Sequence, residues 1–384
     1  MLFKIKRLPT SNIYEVNGLL IIYVVALLYL LIWTMINSQF VFPLKKSDAK
    51  NMPRVSILIP LRNEANHVKK LIRNLKGLTY PFLEFVLYDD ESTDNTYSLL
   101  KREIGQDARF RLVKGHLMPK DWVGKSHACM RLSEHATGDV FCFMDADVTL
   151  ASAAIEKVIT HMETTKSDGC SSFPQFSYTN WLDRLVIPMM HVLVHVYLPL
   201  FFANYTKWTS TTAANGAFIC FTKMCYERIG GHKSVQHSLI EDIELARNVK
   251  RAHMRFTLIR GKNTIFCEMY DSAKATWQGF LKNTFNGLNR SIIAAILYSV
   301  FSVIVLIVPF GLLVYGLGTL QWVYILPYWI CLLIRMVSDF YAGSKLRYAF
   351  FYPISQLFVL CILWQAVYLS VTKHSIKWKG REYT

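Results

Sequence analysis

An α/β domain with a mostly parallel sheet, carried on transmembrane helices, is the fold class that this 384-residue sequence predicts. Three observations predict it. Only 18% of the residues are charged and 52% are hydrophobic, against roughly 25% and 45–50% in soluble globular chains. The missing charge is concentrated in long blocks. Between those blocks, across residues 40–290, short strand-like apolar runs alternate with amphipathic helical ones.

The same numbers exclude a disordered chain, a collagen-like repeat and an ordinary soluble enzyme. Lys and Arg exceed Asp and Glu by 43 − 27 = +16. That balance suits an anionic membrane surface or a phosphate-bearing substrate. No helix-turn-helix, zinc-finger or RNP pattern is present, so no nucleic-acid partner is expected. The eight cysteines form no C-x-x-C pair, and they read as reduced, buried thiols.

The uncharged blocks set the membrane organisation. Nothing charged lies between Glu15 and Lys45, and Gly18 to Ile36 reads as one apolar helix. Ser291 to Ile334 is long enough for two spans of roughly 20 residues each, with a break at Gly316-Leu317-Gly318-Thr319. Tyr348 to Thr372 is a fourth block. No small-residue cleavage site closes the first, so it reads as an anchor and not as a signal peptide. Leu185 to Thr206 is uncharged too but holds Pro188, His191, His195 and Pro199. Spanning there would part the two halves of the polar domain, so it reads as a buried or membrane-surface helix. The organisation expected is an anchor (1–39), a polar domain (40–290), C-terminal transmembrane helices (291–372) and a basic tail (373–384). Lys45, Lys46, Lys50 and Arg54, with Arg335, Lys345 and Arg347 read as a loop, place the domain in the cytosol of a multi-pass cell-membrane protein. Four crossings would then leave Lys4, Lys6, Arg7 and the tail from Lys373 outside, which the same tendency opposes. A re-entrant C-terminal block is the alternative; it would bring the tail inside but not Lys4, Lys6 and Arg7.

Within the domain, Val55 to Pro60 reads as a strand, and Val68, Leu71, Ile72 and Leu75 follow at helical spacing. Glu84 to Asp89 and Arg109 to Val113 are the next strands. A helix from Lys125 to His135 precedes Val140 to Met144, a wholly apolar strand. Strands alternating with helices predict a parallel sheet covered on both faces, with ligands beyond the carboxyl ends of the strands.

The acidic clusters fall at those ends. Asp145-Ala146-Asp147 can hold a divalent cation through oxygen ligands and neutralise a departing diphosphate, or can serve as a turn. In Asp89-Asp90-Glu91-Ser92-Thr93-Asp94, one acid can accept a hydrogen bond from a base while Ser92 or Asp94 caps the next helix. Pro60-Leu61-Arg62-Asn63-Glu64 is a loop beside them, although Arg62 and Glu64 could equally form a surface pair. Lys125 stands near a helix start, where a cation meets phosphate; a solvated lysine is the alternative. Glu241-Asp242 opens an amphipathic helix with Leu245 and Val249 on its apolar face. Asp242 is a candidate general base, or simply one of three acids suited to the helix dipole.

Together, P-x-R-N-E, D-D-x-S-x-D, G-K-S-H-A, D-A-D and I-E-D resemble the membrane-bound family-2 glycosyltransferases with the GT-A nucleotide-diphospho-sugar fold, over residues 52–272. The resemblance implies a nucleotide-sugar donor, a UDP-sugar such as UDP-glucose, bound by Pro60, Arg62, Glu64, Asp90, Lys125, Asp145 and Asp147. It implies that Asp90 reads uracil and that Asp147, with Asp145, holds Mg²⁺ or Mn²⁺. It implies that Asp242, beside Glu241, is the base of an inverting displacement. The segments Gly124–Cys129, Asp145–Val148, Gly230–Ser234 and Trp378–Tyr383 are further similar to the diaponeurosporenoate glycosyltransferases of bacterial carotenoid synthesis. That likeness implies transfer of a single hexose to a lipid acceptor such as a carotenoid acid.

The Q-x-x-R-W motif of processive polysaccharide synthases is absent; Trp277-Gln278-Gly279-Phe280 stands near its place. A transporter would carry ionisable groups in its spans, and the blocks 291–334 and 348–372 carry none. A non-catalytic scaffold would have lost acids from at least one cluster. Ala273, Trp277, Phe280, Leu281, Phe285 and Leu288 share a helical face, with Lys274, Lys282 and Arg290 off it. That reads as an interfacial amphipathic helix at the acceptor entrance, with an ordinary packing helix as the alternative. Asn215-Gly216-Ala217 and His232 either line the acceptor side or belong to a core strand and a loop.

Overall fold

The structure, a computed structural model, describes residues 10–45, 51–115, 118–119, 121–238, 240–372, 374, 376–378 and 381–383. Helix α1 (Thr10–Asn37) leads into β1 (Phe42–Pro43). The domain then alternates as expected: β2 (Val55–Leu61), α2 (Ala65–Lys76), β3 (Leu83–Asp89), α3 (Thr96–Ile104), β4 (Phe110–Lys114), α4 (Gly124–His135) and β5 (Val140–Met144). After β6 (Val148–Leu150) come α5 (Ala154–Thr165), β7 (Gly169–Phe173), β8 (Gln175–Phe176), α6 (Trp181–Val192) and α7 (Leu200–Tyr205). The domain continues with β9 (Phe218–Thr222), α8 (Lys223–Arg228), α9 (Glu241–Arg251), β10 (Phe256–Arg260), β11 (Ile265–Cys267) and α10 (Ala273–Gly287).

Eight strands form one sheet in the order β1-β10-β7-β9-β5-β2-β3-β4, and β6, β11 and β8 form a small second sheet. The main sheet is parallel except for β9, which runs antiparallel to β5 and β7. Alternate residues of one strand enter different cores. Ile57 and Ile59 pack with Leu71 and Ile72 of α2. Leu58 points into the other core, which also holds Leu132 of α4 and Val249 of α9. Strands buried on both faces explain the unbroken apolar run of β5. The reversal of β9 matters most for chemistry. Phe218 pairs with Met144, so residues 215–217 arrive beside Asp145, at the carboxyl end of β5.

Among the described residues, four helical stretches, 18–40, 292–319, 322–342 and 346–371, are long and apolar enough to cross a membrane. The second contains α11 (Ile292–Ser302) and α12 (Val308–Thr319); the others after it contain α13 (Leu326–Ala342) and α14 (Tyr352–Val371). The break between α12 and α13 falls at Leu320, which takes a left-handed φ of 56°. One expectation is corrected here. Arg335 lies in no loop, because α13 continues to Gly343; one turn on, its Nε meets Asp339 Oδ2 at 3.0 Å, both side chains buried. Arg335 Nη1 also points at Met189 Sδ of α6, 2.9 Å away. A paired, buried arginine marks no membrane face.

Helix α14 has both ends toward the domain. The turn before it sets Tyr348 edge-on to Tyr178, 5.5 Å between centroids. The strand after it, β12 (Ile376–Trp378), lies against α10. Residues 185–206 are not one helix. α6 runs into a π-helical turn at 193–197, breaks at Leu198-Pro199 and resumes as α7. Asn37, at the end of α1, holds the break by donating to His195 O and Leu198 O (2.8 and 2.7 Å) and accepting from Leu200 N (2.8 Å).

The apolar face of α10 is also not an open interface. Phe280, Leu281 and Phe285 are buried, and α6 and α14 cover the helix. Thr276 Oγ1 donates to Asp183 Oδ1 of α6 (2.7 Å), and Trp277 Nε1 donates to Gln365 Oε1 of α14 (2.8 Å). Seven of the eight thiols are buried as expected; Cys361, on α14, is exposed.

Candidate active site

Four elements converge at the carboxyl edge of the sheet. The turn after β5 is fixed when Asp145 N donates to Ala217 O (3.0 Å) and Val148 N returns to Asp145 O (3.1 Å). Ala146 is buried between Asp145 and Asp147, which stay half-buried. Lys125, in the first turn of α4, reaches across to place Nζ 2.8 Å from Asp145 Oδ1 and 3.5 Å from Glu241 Oε1. It also donates to Gly216 O at 3.2 Å. Burial works against the lysine's charge, but the Asp145 and Glu241 carboxylates outweigh it and hold Lys125 protonated well above its ordinary range.

Asp242 opens α9 on the other side of Gly216. Its Oδ1 accepts from Ile243 N at 2.8 Å. A side chain at Gly216 would meet Lys125 Nζ at 3.0 Å and Asp242 Oδ2 at 3.3 Å, tight contacts that would press both side chains aside by a few tenths of an ångström. Burial, then repulsion from Glu241, pushes the Asp242 carboxyl up to about 7, against the pull of Lys125 and the N–H groups of Ile243 and Gly216. A carboxyl at that value takes up and releases a proton near neutral pH, which is what a general base needs.

Asp147 faces the small second sheet. Its carboxylate accepts from the Cys267 thiol; burial, Asp147 and Asp145 raise that thiol well above its ordinary range. Burial and then Asp147 likewise raise the Tyr270 phenol. Both neighbours therefore stay neutral. Gly279 of α10 lets Tyr270 pack there, because a Cβ would sit 2.3 Å from its hydroxyl.

The loops after β2 and β3 are stapled to each other. Arg62 Nη1 donates to Asp90 O at 2.6 Å. Asn63 N donates to Ser92 Oγ (3.0 Å), Thr93 N to Asn63 Oδ1 (2.8 Å) and Glu64 N to Thr96 Oγ1 (2.8 Å). Asn63 and Glu91 take left-handed φ values of 53° and 54° to make the fit. Asp94 accepts from Thr96 N (3.0 Å), the capping duty foreseen for one acid of this run. Glu64 pairs with His67 at 2.8 Å. Pro60 lies within β2 opposite Tyr88, and Asp90 is buried at the end of β3.

Lys125, Asp145, Glu241 and Asp242 thus form one cluster, with Asp147 beside it. Pro60, Arg62, Glu64 and Asp90 form a neighbouring lobe on the same edge. His232 is set in the core: the Tyr226 hydroxyl lies 2.8 Å from Nδ1, and burial and then Lys125 push its pKa down to about 3. Cys267 and Tyr270 went unnoticed in the sequence, since only the pairing of β11 with β6 brings them to Asp147.

Among the described residues, no three His, Cys, Asp or Glu side chains are gathered as a metal site. The donors present still suit Mg²⁺ or Mn²⁺. Such ions take one or two carboxylates and fill the remaining positions with water and substrate phosphates. Asp145 and Asp147 supply two hard oxygen donors one residue apart.

Residues 56–228 match the family described as Glycosyl transferase family 2. A 4,4'-diaponeurosporenoate glycosyltransferase of Staphylococcus haemolyticus (strain JCSC1435) is 27% identical over 241 residues, 62% of this chain and 63% of that protein. The enzyme of the same description from Staphylococcus aureus (strain bovine RF122 / ET3-1) is 26% identical over 262 residues, 65% of this chain and 67% of that one. Among solved structures, a mannosyltransferase from Pyrobaculum calidifontis in complex with GDP-Man and Mn²⁺ superposes with a TM-score of 0.53 at 15% identity. It covers 91% of this chain and 98% of its own, and shows the fold to be GT-A.

Proposed function

Starting from a chain whose residues 56–228 are a glycosyl transferase family 2 domain on a GT-A fold, we propose that it transfers a single hexose, with inversion, from UDP-glucose to a membrane lipid such as a carotenoid acid. The observation that carries the reading is the convergence on Gly216. A cation (Lys125), a carboxyl poised near neutrality (Asp242) and the Asp145–Asp147 pair meet within one edge of the sheet.

Each residue has a task in a single displacement. The acceptor oxygen forms a bond to the sugar C1 from the face opposite the diphosphate. The C1–O bond to the diphosphate breaks, and its electron pair leaves with the phosphate oxygen. With a hydroxyl acceptor the proton passes to Asp242 Oδ2; a carboxylate acceptor is already ionised and needs no base. Glu241 keeps the Asp242 carboxyl raised, and Lys125 places a fixed positive charge where the leaving group gains negative charge. Asp147 and Asp145 would hold Mg²⁺ or Mn²⁺, which supplies further neutralisation of the diphosphate when bound. Asp90 would read the base, and the Arg62-Asn63-Glu64 loop would keep Asp90 in place through its backbone.

The apolar helices support a membrane-borne acceptor. We read α1, the α11–α12 stretch and α13 as crossings and α14 as a helix that returns to the domain side. Domain and basic tail then share the cytosolic face, as the positive-inside tendency asks.

The test uses full-length protein in vesicles with radiolabelled UDP-glucose and a carotenoid acid. Label should enter the lipid phase as one hexose per acceptor, with the anomeric configuration inverted. Label that stays in the aqueous phase, with UDP-glucose and with GDP-mannose alike, would overturn the reading.

A further inference from the structure

If the apolar face of α10 is covered, a lipid acceptor must come in elsewhere. The other side of the domain offers a place. Leu193, Tyr197, Phe201 and Tyr205 recur every four residues through α6–α7, and Trp208 follows. They are 38, 36, 42, 50 and 58% exposed, high values for large apolar side chains. They are continuous with helices long and apolar enough to cross a membrane. The Tyr197 ring lies 5.7 and 5.0 Å from those of Tyr298 and Phe301 in the α11 stretch. Trp33 of α1 donates to Val196 O at 2.9 Å. Phe40, where α1 ends, meets Phe201 at 5.2 Å and Tyr205 at 6.1 Å. Exposed Lys207 and Lys45 flank the ridge. Tyr and Trp rings beside cations at the end of a span are the chemistry of the headgroup layer.

The same segment is tied to the active site. Lys250, buried near the far end of α9, donates to Ala203 O (2.7 Å) and Trp208 O (3.3 Å). Asp242 lies eight residues earlier in the same helix, about 12 Å along its axis. The chain itself runs from Trp208 through Thr209, Ser210, Thr211 and Thr212 to Asn215, which Ser171 Oγ fixes at 2.7 Å, and then to Gly216.

We propose that the ridge from Leu193 to Trp208 seats in the lipid headgroup layer and is the entrance by which a lipid acceptor reaches Asp242. The inference rests on the transfer reading for its second half only. The apolar part of the acceptor stays against Phe201, Tyr205 and Trp208, while its polar end follows the hydroxyl-bearing residues 209–212 inward.

Two measurements on full-length protein in vesicles of phosphatidylethanolamine and phosphatidylglycerol test it. In a Cys361→Ser background, nitroxide labels are placed at Tyr205→Cys and Trp208→Cys, with Lys101→Cys on α3 as the aqueous control. The ridge labels should collide more with oxygen than with a water-soluble nickel chelate, and the control should do the reverse. Ridge labels that behave like the control would overturn the membrane seat. Second, Phe201→Ser combined with Trp208→Ser should lower transfer to a vesicle-borne carotenoid acid at least about tenfold, the scale of one lost aromatic burial. Transfer to a short, water-soluble carboxylic acid should change less than about twofold. Equal losses on both acceptors would overturn the entrance. The label readout needs no turnover. Wild-type protein that contacts lipid yet transfers nothing would therefore overturn the transfer reading and the entrance with it, while the seat stands.

Discussion

A buried carboxylate at one end of the sheet and a half-buried one at the other have opposite fates. Glu84 begins β3 and is met by donors on every side: Ser56 Oγ, Thr137 N (2.6 Å), Thr137 Oγ1 (2.7 Å), Gly138 N (3.2 Å) and Arg54 Nη2 (3.2 Å). Burial alone would raise its pKa, but the Ser56 and Thr137 bonds and the Arg54 charge bring it below the usual carboxylate range. Asp242, at the carboxyl end, shares the single cation of its cluster with Glu241 and Asp145, and its pKa rises to about 7. A carboxylate whose donors are complete fixes a fold. One that is left short of compensation can move a proton.

Four predictions break or sharpen that comparison. The largest effect belongs to Asp147→Ala, which should cost about 10³-fold in transfer or more, because charge on the departing diphosphate loses its neutraliser. Far-UV dichroism and membrane insertion should be unchanged, and Mn²⁺ binding followed by its paramagnetic resonance should weaken in parallel. Undiminished turnover in chelator-treated buffer would remove the metal from this site.

Asp242→Asn comes next. The amide keeps the size of the side chain but takes no proton, so a hydroxyl acceptor should react about 10²–10⁴-fold more slowly. UDP-glucose affinity by calorimetry should hold. With a carboxylate acceptor the loss should be far smaller, because no proton has to leave. A loss below about threefold on the hydroxyl acceptor would make Asp242 a helix-start acid alone.

Glu84→Ala should show the converse pattern. Orphaning the donors of Thr137 and Gly138 should cost roughly 3 kcal/mol in stability, read as a lower denaturation midpoint. Activity per folded molecule should stay at the wild-type value. A fall in kcat with stability intact would mean that the amino end of the sheet takes part in chemistry.

Much of the domain was legible because its signals are local. The helical spacing of Val68, Leu71, Ile72 and Leu75 and the apolar run of β5 both reappear as buried faces. The strand-end acids were legible for the same reason: each closes a run of strand residues. What stayed hidden depends on pairing between distant segments. Only the antiparallel insertion of β9 puts Gly216 between Lys125 and Asp242. Glu84 looked like one more strand residue, since its partners lie up to 54 residues away. Periodicity also says which face of a helix is apolar but not what covers it. That is why α10 read as an interfacial helix although α6 and α14 bury it, and why Arg335 read as a loop cation although Asp339 neutralises it within α13.

The most direct test of an under-compensated base is the pH dependence of kcat/KM on a hydroxyl acceptor, measured for the wild type and for Glu241→Gln. Asp242 must be ionised to accept the proton. Activity should therefore be level above neutrality and fall tenfold per unit as pH drops below a limb at about 7. Removing the Glu241 charge takes away one of the two causes of the raised value, so the limb should move to lower pH in the variant. A wild-type limb in the ordinary carboxylate range, or a limb that Glu241→Gln leaves in place, would contradict the account.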